Sequence, residues 1–295
     1  MKIIKAENKD KEAIFDIWLS CFTEDEAYIN TYLEYCFPNS TTLLLGDDVS
    51  GYVSVISIIP SYFIHNNQII KGGYLYGVGT LPEHRGNSYS SKLIDYAKEL
   101  LISEGFDYFI VKPATETLFS LYKRLGFNKE IYNTRITVKS PQDLSTETDQ
   151  SSINLNTVKT GTTLDSEKLF QTREENLSSS CFLWPKEILS YSLREILNRD
   201  GFLFISDATG DYCTGYASED SSTLLILETT VKPDVVKTNF GNQIKKRYPQ
   251  SENWTIDYPY NANLNQAAQL SALIMELKPG IYERCCTLNL SLPME

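Results

Sequence analysis

The residues best placed to do chemistry lie between Val78 and Phe127. An apolar run, Tyr74–Leu81, stops at Pro82 and passes through Arg85-Gly86-Asn87-Ser88-Tyr89-Ser90-Ser91 into a segment where Leu93, Ala97, Leu100 and Leu101 recur at helical spacing. A strand that turns tightly into a helix leaves several N–H groups unpaired and presents the positive end of the helix dipole. Such a terminus binds phosphate or pyrophosphate with little help from side chains. Gly86 lets a ligand come close to the backbone, and Arg85 adds a cation. The same pattern also describes a strand-to-helix turn that holds nothing.

This stretch resembles the GNAT acetyltransferase superfamily. The family's cofactor loop, R/Q-x-x-G-x-G/A, follows a strand and a V-x-x-P-x-x lead-in, matched here by Val78-Gly79-Thr80-Leu81-Pro82-Glu83-His84-Arg85. Some 35 residues on, an aromatic-Tyr-x-x-x-Gly-Phe motif has its counterpart in Leu121-Tyr122-Lys123-Arg124-Leu125-Gly126-Phe127. The two glycine positions of the loop are Ser88 and Ser90, which keep the backbone N–H and add a hydroxyl. The resemblance implies acetyl-CoA as co-substrate and no metal. It implies that strand 74–81 splays from strand 107–111, so that backbone groups of Val78, Gly79 and Thr80 face the pantetheine and thioester. The N–H groups of Gly86, Asn87, Ser88, Tyr89, Ser90 and Ser91, with Arg85, would hold the pyrophosphate. Tyr122 would be the general acid that protonates the departing thiolate, a role that suits a phenol of pKa about 10.

Direct transfer also needs a neutral amine, and no residue stands out as its base. Strand 74–81 carries no carboxylate. Glu24, Asp25 and Glu26 border the expected acceptor side but read equally as a solvated helix start. Glu116 reads as a first-turn acid behind Thr115 as N-cap. His84 sits in the lead-in as a loop residue, and His65 in a hairpin turn. These are the only two histidines, which argues against a His-bearing metal site or a Ser-His-Asp triad. The six cysteines show no CxxC and no disulfide-like spacing, the pattern of a reduced, cytoplasmic chain.

Positioning these residues takes a mixed set of elements. Strands are expected at 2–5, 41–45, 52–59, 74–81, 107–111 and 131–138, and helices at 10–22, 24–37, 88–104 (with Gly105 after its end) and 115–125. The polar stretch 140–163 reads as a linker with one short strand near 153–158. Beyond it the order recurs more faintly. A helix at 186–197 precedes strands at 202–206, 214–218 and 223–230, a helix at 235–247 and a strand at 254–258. A helix at 266–275 and a final strand at 281–290 close the series. The fold class expected is α/β (α+β), as two tandem GNAT-like domains, each a mixed central sheet flanked by helices: 1–140, a linker at 141–162, and a degenerate copy at 163–295.

In the second copy the loop counterpart, 229–235, has no Arg-Gly pair and no glycine, so it should bind no CoA and instead shape the acceptor pocket. The chain resembles a shorter relative of Eis-like tandem GNAT proteins. In those the terminal carboxylate serves in catalysis, which here would be Glu295.

With 27 basic and 38 acidic side chains, the net charge is −11. That disfavours a protein that grips nucleic-acid phosphate and suggests an acidic cleft that steers a cationic acceptor. No run of about 18 apolar residues predicts a membrane span, and the polar N-terminus does not read as a signal peptide. The leading expectation is an N-acetyltransferase acting on a small cationic or lysine-like amine, with no nucleic-acid or membrane partner and with oligomerisation open. The alternatives are a non-catalytic acyl-CoA-binding scaffold and an aminoacyl-tRNA-dependent transferase.

Overall fold

In the computed structural model, the residues described are 1–22, 25–47, 49–140, 155–157, 163–177, 181–206, 209–259, 268–288 and 290. Strand β1 (Lys2–Lys5) leads through a short turn to α1 (Lys11–Cys21) and α2 (Glu26–Thr31). The expected second helix is not regular. After α2 the chain makes one π-helical turn, Tyr32–Cys36, and a 3-10 turn, Phe37–Asn39, which brings Tyr32, Leu33 and Cys36 all into the core. Strands β2 (Thr41–Asp47), β3 (Gly51–His65) and β4 (Gln68–Thr80) form a meander. Helix α3 (Tyr89–Ser103), β5 (Tyr108–Val111), α4 (Glu116–Arg124) and β6 (Lys129–Lys139) follow.

The second half comprises β7 (Leu155–Thr157), α5 (Thr163–Leu177), α6 (Lys186–Asn198), β8 (Phe202–Ser206), β9 (Tyr212–Ala217) and β10 (Thr223–Thr229). It continues with α7 (Pro233–Arg247), β11 (Asn253–Pro259), β12 (Ala268–Glu276) and α8 (Tyr282–Cys285). Of the expected linker, only β7 lies among the described residues.

Among the described residues, twelve strands form one sheet, in the order β1-β2-β3-β4-β5-β12-β6-β11-β10-β9-β8-β7. Adding six to each of β1–β6, and subtracting six from each of β7–β12, reproduces this order read backwards. The chain is therefore two copies of one six-stranded unit related by an approximate two-fold, and the last strand of each copy crosses into the other. β12 pairs antiparallel with β5, Leu273 opposite Val111 and Glu276 opposite Tyr108. β6 pairs antiparallel with β11, Asn133 opposite Pro259 and Lys139 opposite Asn253. The parallel pairs fall at matching places, β4 with β5 and β10 with β11. Helices cover both faces, so strands such as β2 and β5 are buried on both sides and largely apolar.

Further elements differ from expectation. Residues 266–275, read as a helix, contain strand β12, because Ser271–Met275 are buried on both faces and a short continuous apolar run has no period to separate strand from helix. Residues 281–290, read as a strand, begin with α8. Gly280 (φ +78) turns the chain, and Ile281, Cys285 and Leu288 are buried at helical spacing. Helix α5 had no counterpart in the sequence reading.

Candidate active site

The site begins with a defect in β4. Its pairing with β3 runs regularly from His65–Gln68 to Ser57–Tyr76, then resumes at Val55–Gly79 with extra residues bulged on β4. Gly77 sits in that bulge at φ +57, and a Cβ there would lie 2.3 Å from Cζ2 of Trp18. Only glycine allows both the left-handed backbone and the close seat of the indole. The parallel pairing of β4 with β5 ends just before, at Leu75–Val111. Beyond it the two strands part, as expected, and a cavity of about 780 Å³ opens between them.

Several parts of the chain wall this cavity. α1 and α2 supply Trp18 and Tyr28, and β4 supplies Tyr74, Tyr76 and Val78. The turn after β5 supplies Lys112, α4 supplies Glu116 and Tyr122, β6 supplies Asn133 and Arg135, and β12 supplies Leu270 and Ser271. The crossed strand is thus part of the wall, with Ser271 at its own register shift.

Tyr122 lies in the last turn of α4, with 6% of its surface exposed. Its ring packs edge-on against Phe127 at 5.8 Å. Gly126 (φ +99) makes the turn between them, and Met275 of β12 lies 3.2 Å from where its Cβ would be. The hydroxyl makes no hydrogen bond to any described residue, and burial pushes the phenol up to about 12.

The loop after β4 is exposed. A 3-10 turn, Pro82–His84, precedes Gly86 at φ +82, around which nothing lies within 4 Å of a built Cβ. Asn87 Nδ2 donates to the His84 carbonyl at 3.0 Å. Ser88 stands as N-cap in a left-handed conformation (φ 58, ψ 29) that costs an L-residue roughly 1 kcal/mol and a glycine nothing. The first helical bond runs from Lys92 N–H to Ser88 O at 3.0 Å. The N–H groups of Tyr89, Ser90 and Ser91 therefore have no intrahelical acceptor, and no side chain caps the helix. This terminus fits an anion.

The remaining expected site residues divide. Val78 lines the cavity. The carbonyls of Gly79 and Thr80 are already engaged, by Ser54 Oγ at 2.8 Å and by Arg85 Nε at 3.1 Å, so Arg85 also braces the lead-in strand. Asp25 is a helix cap, accepting from Tyr28 N–H at 2.8 Å. Glu26 is exposed in the next turn and outside the lining. Glu24 and Glu295 lie outside the described residues. His84 is in the turn and His65 ends β3. All six cysteines are free thiols, and Cys285–Cys286 lie at the end of α8 instead of in a strand.

The described lining of this cavity is not the acidic cleft expected. Among those residues Glu116 is the sole carboxylate, and it is exposed, against Lys112 and Arg135. The surplus of acids in the composition is spread over the surface, and a sum over the chain carries no information about one cavity.

The sequence reading also missed an aromatic cluster. Trp18 stacks on Tyr32 with ring centroids 4.1 Å apart and meets Tyr76 edge-on at 5.7 Å. Tyr28, Tyr76 and Tyr191 form a chain of hydroxyl hydrogen bonds, the second at 3.0 Å, that joins β4 to α6 of the other half. The alternation of Tyr74 and Tyr76, which puts both on one face of β4, was its visible signal.

In the second half, parallel pairing of β10 with β11 ends at Ile226–Ile256, and β10 bulges at Leu227 before Glu228. Its carboxylate is held by Arg173 through two bonds of 2.9 Å and also accepts from the Tyr212 hydroxyl. Arg173 and Glu228 are 1% and 2% exposed.

Comparison with known proteins agrees with this geometry. Residues 2–129 match the model of the acetyltransferase (GNAT) domain. Among solved structures, the chain resembles a probable N-acyltransferase from Enterococcus faecalis (12% identity, 95% of this chain and 74% of that one, TM-score 0.67). It also resembles a GCN5-related N-acetyltransferase from Anabaena variabilis (16%, 94% and 73%, TM-score 0.67) and Eis1 from Mycobacterium abscessus (10%, 94% and 74%, TM-score 0.66). At such identities the structural likeness speaks for the fold alone. A search among curated proteins returns no sequence match. Residues 2–129, the first half of the chain, are a GNAT acetyltransferase domain. Among the described residues, no helix is long and apolar enough to cross a membrane.

Proposed function

We propose that the first half transfers an acetyl group from acetyl-CoA to a primary amine by direct attack, with Tyr122 as general acid. The observation that carries this reading is the Tyr122 hydroxyl. It is buried beside the parting of β4 and β5, bonded to no described residue, and held neutral by burial far beyond physiological pH. The amine nitrogen forms a bond to the acetyl carbon as the carbon–sulfur bond breaks. Tyr122 gives its proton to the thiolate, and the nitrogen loses one to water. Backbone N–H groups of Gly86–Ser91 hold the pyrophosphate, and the unpaired edge of β4 at Val78 runs along the pantetheine. The two copies read from the sequence, 1–140 and 163–295 joined through 141–162, divide the work. The first binds acetyl-CoA. The second binds none, because its loop counterpart, 229–235, has no Arg-Gly pair and no glycine, and it contributes β12 to the cavity wall.

Acetyl-CoA should raise the melting temperature at millimolar concentration. Tyr122→Phe should keep that shift while lowering thiol release by about 10²-fold or more. Unchanged turnover in the variant would remove Tyr122 from the mechanism, and absence of any shift would refute cofactor use.

A further inference from the structure

The cavity runs against the charge of the chain. The protein carries −11, yet the described lining offers Glu116 alone, and exposed, to meet a cation. Of the two basic residues, Lys112 is half-buried. Arg135 is exposed and held by both carboxylate oxygens of Asp257 at 2.7 and 2.8 Å. A polycation entering this space would leave charges unpaired, which is a strong bias against it.

What the wall presents instead is aromatic and rigid. Trp18, Tyr28, Tyr74 and Tyr76 line it, and they are locked against one another and against Tyr32 and Trp184. Tyr32 stacks on one face of the indole. Fixed rings of this kind accept a flat or apolar body with little loss of conformational entropy. One buried polar side chain interrupts them. Asn133, 7% exposed on β6, has its Oδ1 without a hydrogen-bond partner. An amide oxygen buried unpaired is costly, and an N–H of a ligand relieves that cost.

Resting on the acetyl-transfer reading above, we propose that the acceptor is a primary amine on an aromatic or apolar body, with a single positive charge in solution and an N–H bonded to Asn133. Polyamines and aminoglycosides are disfavoured. The same surroundings explain the missing base. Burial favours the neutral, attacking form of the amine, so no carboxylate is needed on β4.

The test is thiol release at saturating acetyl-CoA, comparing 2-phenylethylamine with spermidine in the wild type, Asn133→Leu and Asn133→Asp. We expect kcat/KM for phenylethylamine to exceed that for spermidine by about tenfold or more. Asn133→Leu should raise KM for phenylethylamine about fivefold with a smaller change in kcat. Asn133→Asp should narrow or invert the preference, because it adds a buried carboxylate, which the described lining lacks; a purely structural role would lower both amines alike. Preference for spermidine in the wild type, or an unchanged ratio in Asn133→Asp, overturns the proposal. A melting shift measured with acetyl-CoA separates the two readings. Binding without turnover of phenylethylamine overturns this proposal and leaves cofactor binding standing, whereas no binding overturns both.

Discussion

Replacing Gly77 by alanine tests the packing at the centre of the site. The backbone there is left-handed at φ +57, which costs alanine roughly 1–2 kcal/mol. The new Cβ would stand 2.3 Å from Trp18 Cζ2, where two carbons prefer about 3.5–4.0 Å. Trp18 is 1% exposed and wedged between Tyr32 and Tyr76, so it cannot yield freely, and overpacking of this kind costs about 1–3 kcal/mol. The sum is about 2–5 kcal/mol. Gly105→Ala is the control. It has φ +82 and nothing within 4 Å of its Cβ, so it should show the backbone cost alone, roughly 1–2 kcal/mol. Urea denaturation followed by tryptophan fluorescence gives both values. In a Trp18→Phe background the indole carbon is gone, and Gly77→Ala should lose about 1–2 kcal/mol of its cost as a coupling energy. If Gly77→Ala costs no more than Gly105→Ala, or costs the same in both backgrounds, the bulge is not held open by Trp18 and the account of the site fails.

Three further outcomes follow from the same contacts. Burial raises the phenols of Tyr122, Tyr76, Tyr108 and Tyr191 above their unfolded value. Their stabilisation is therefore complete below pH about 10 and lost as pH rises through the folded values, at about 1.4 kcal/mol per pH unit per group. Tyr122→Phe should reduce the alkaline slope of stability by about one proton; an identical slope would contradict the burial seen here. Arg173→Met strands the Glu228 carboxylate, which is 2% exposed, and should destabilise by about 3–5 kcal/mol, with much of that recovered in Arg173→Met/Glu228→Gln; a mild single variant would show that the pair is hydrated. Residues 1–140 expressed alone lack β12, so the facing edges of β5 and β6 lose their partner. That fragment should show neither a cooperative transition nor an acetyl-CoA shift, and a stable, cofactor-binding fragment would refute the strand exchange.

The local features of the site were legible in the sequence because they depend on neighbours within a few residues. Pro82 ends a strand, Gly86 and the serines open α3, Gly105 closes it, and Tyr122 precedes Gly126–Phe127 by a fixed helical interval. Each is set by backbone sterics and hydrogen bonding along a short stretch of chain. The recurrence of strand, helix and strand also announced the duplication. What tertiary structure alone decided is which strands meet. Residues 268–276 carry no signal that they leave the second copy to lie against Tyr108–Val111, since any strand apolar on both faces fits any buried slot and selection rests on the whole sheet. For the same reason the cavity's charge could not be read from a total of −11. Acids scattered along the chain went to the surface, where water solvates them. The wall was assembled from α1, α2, β4, β6 and β12, segments as much as 250 residues apart that share only the requirement to fill the space beside a parted strand.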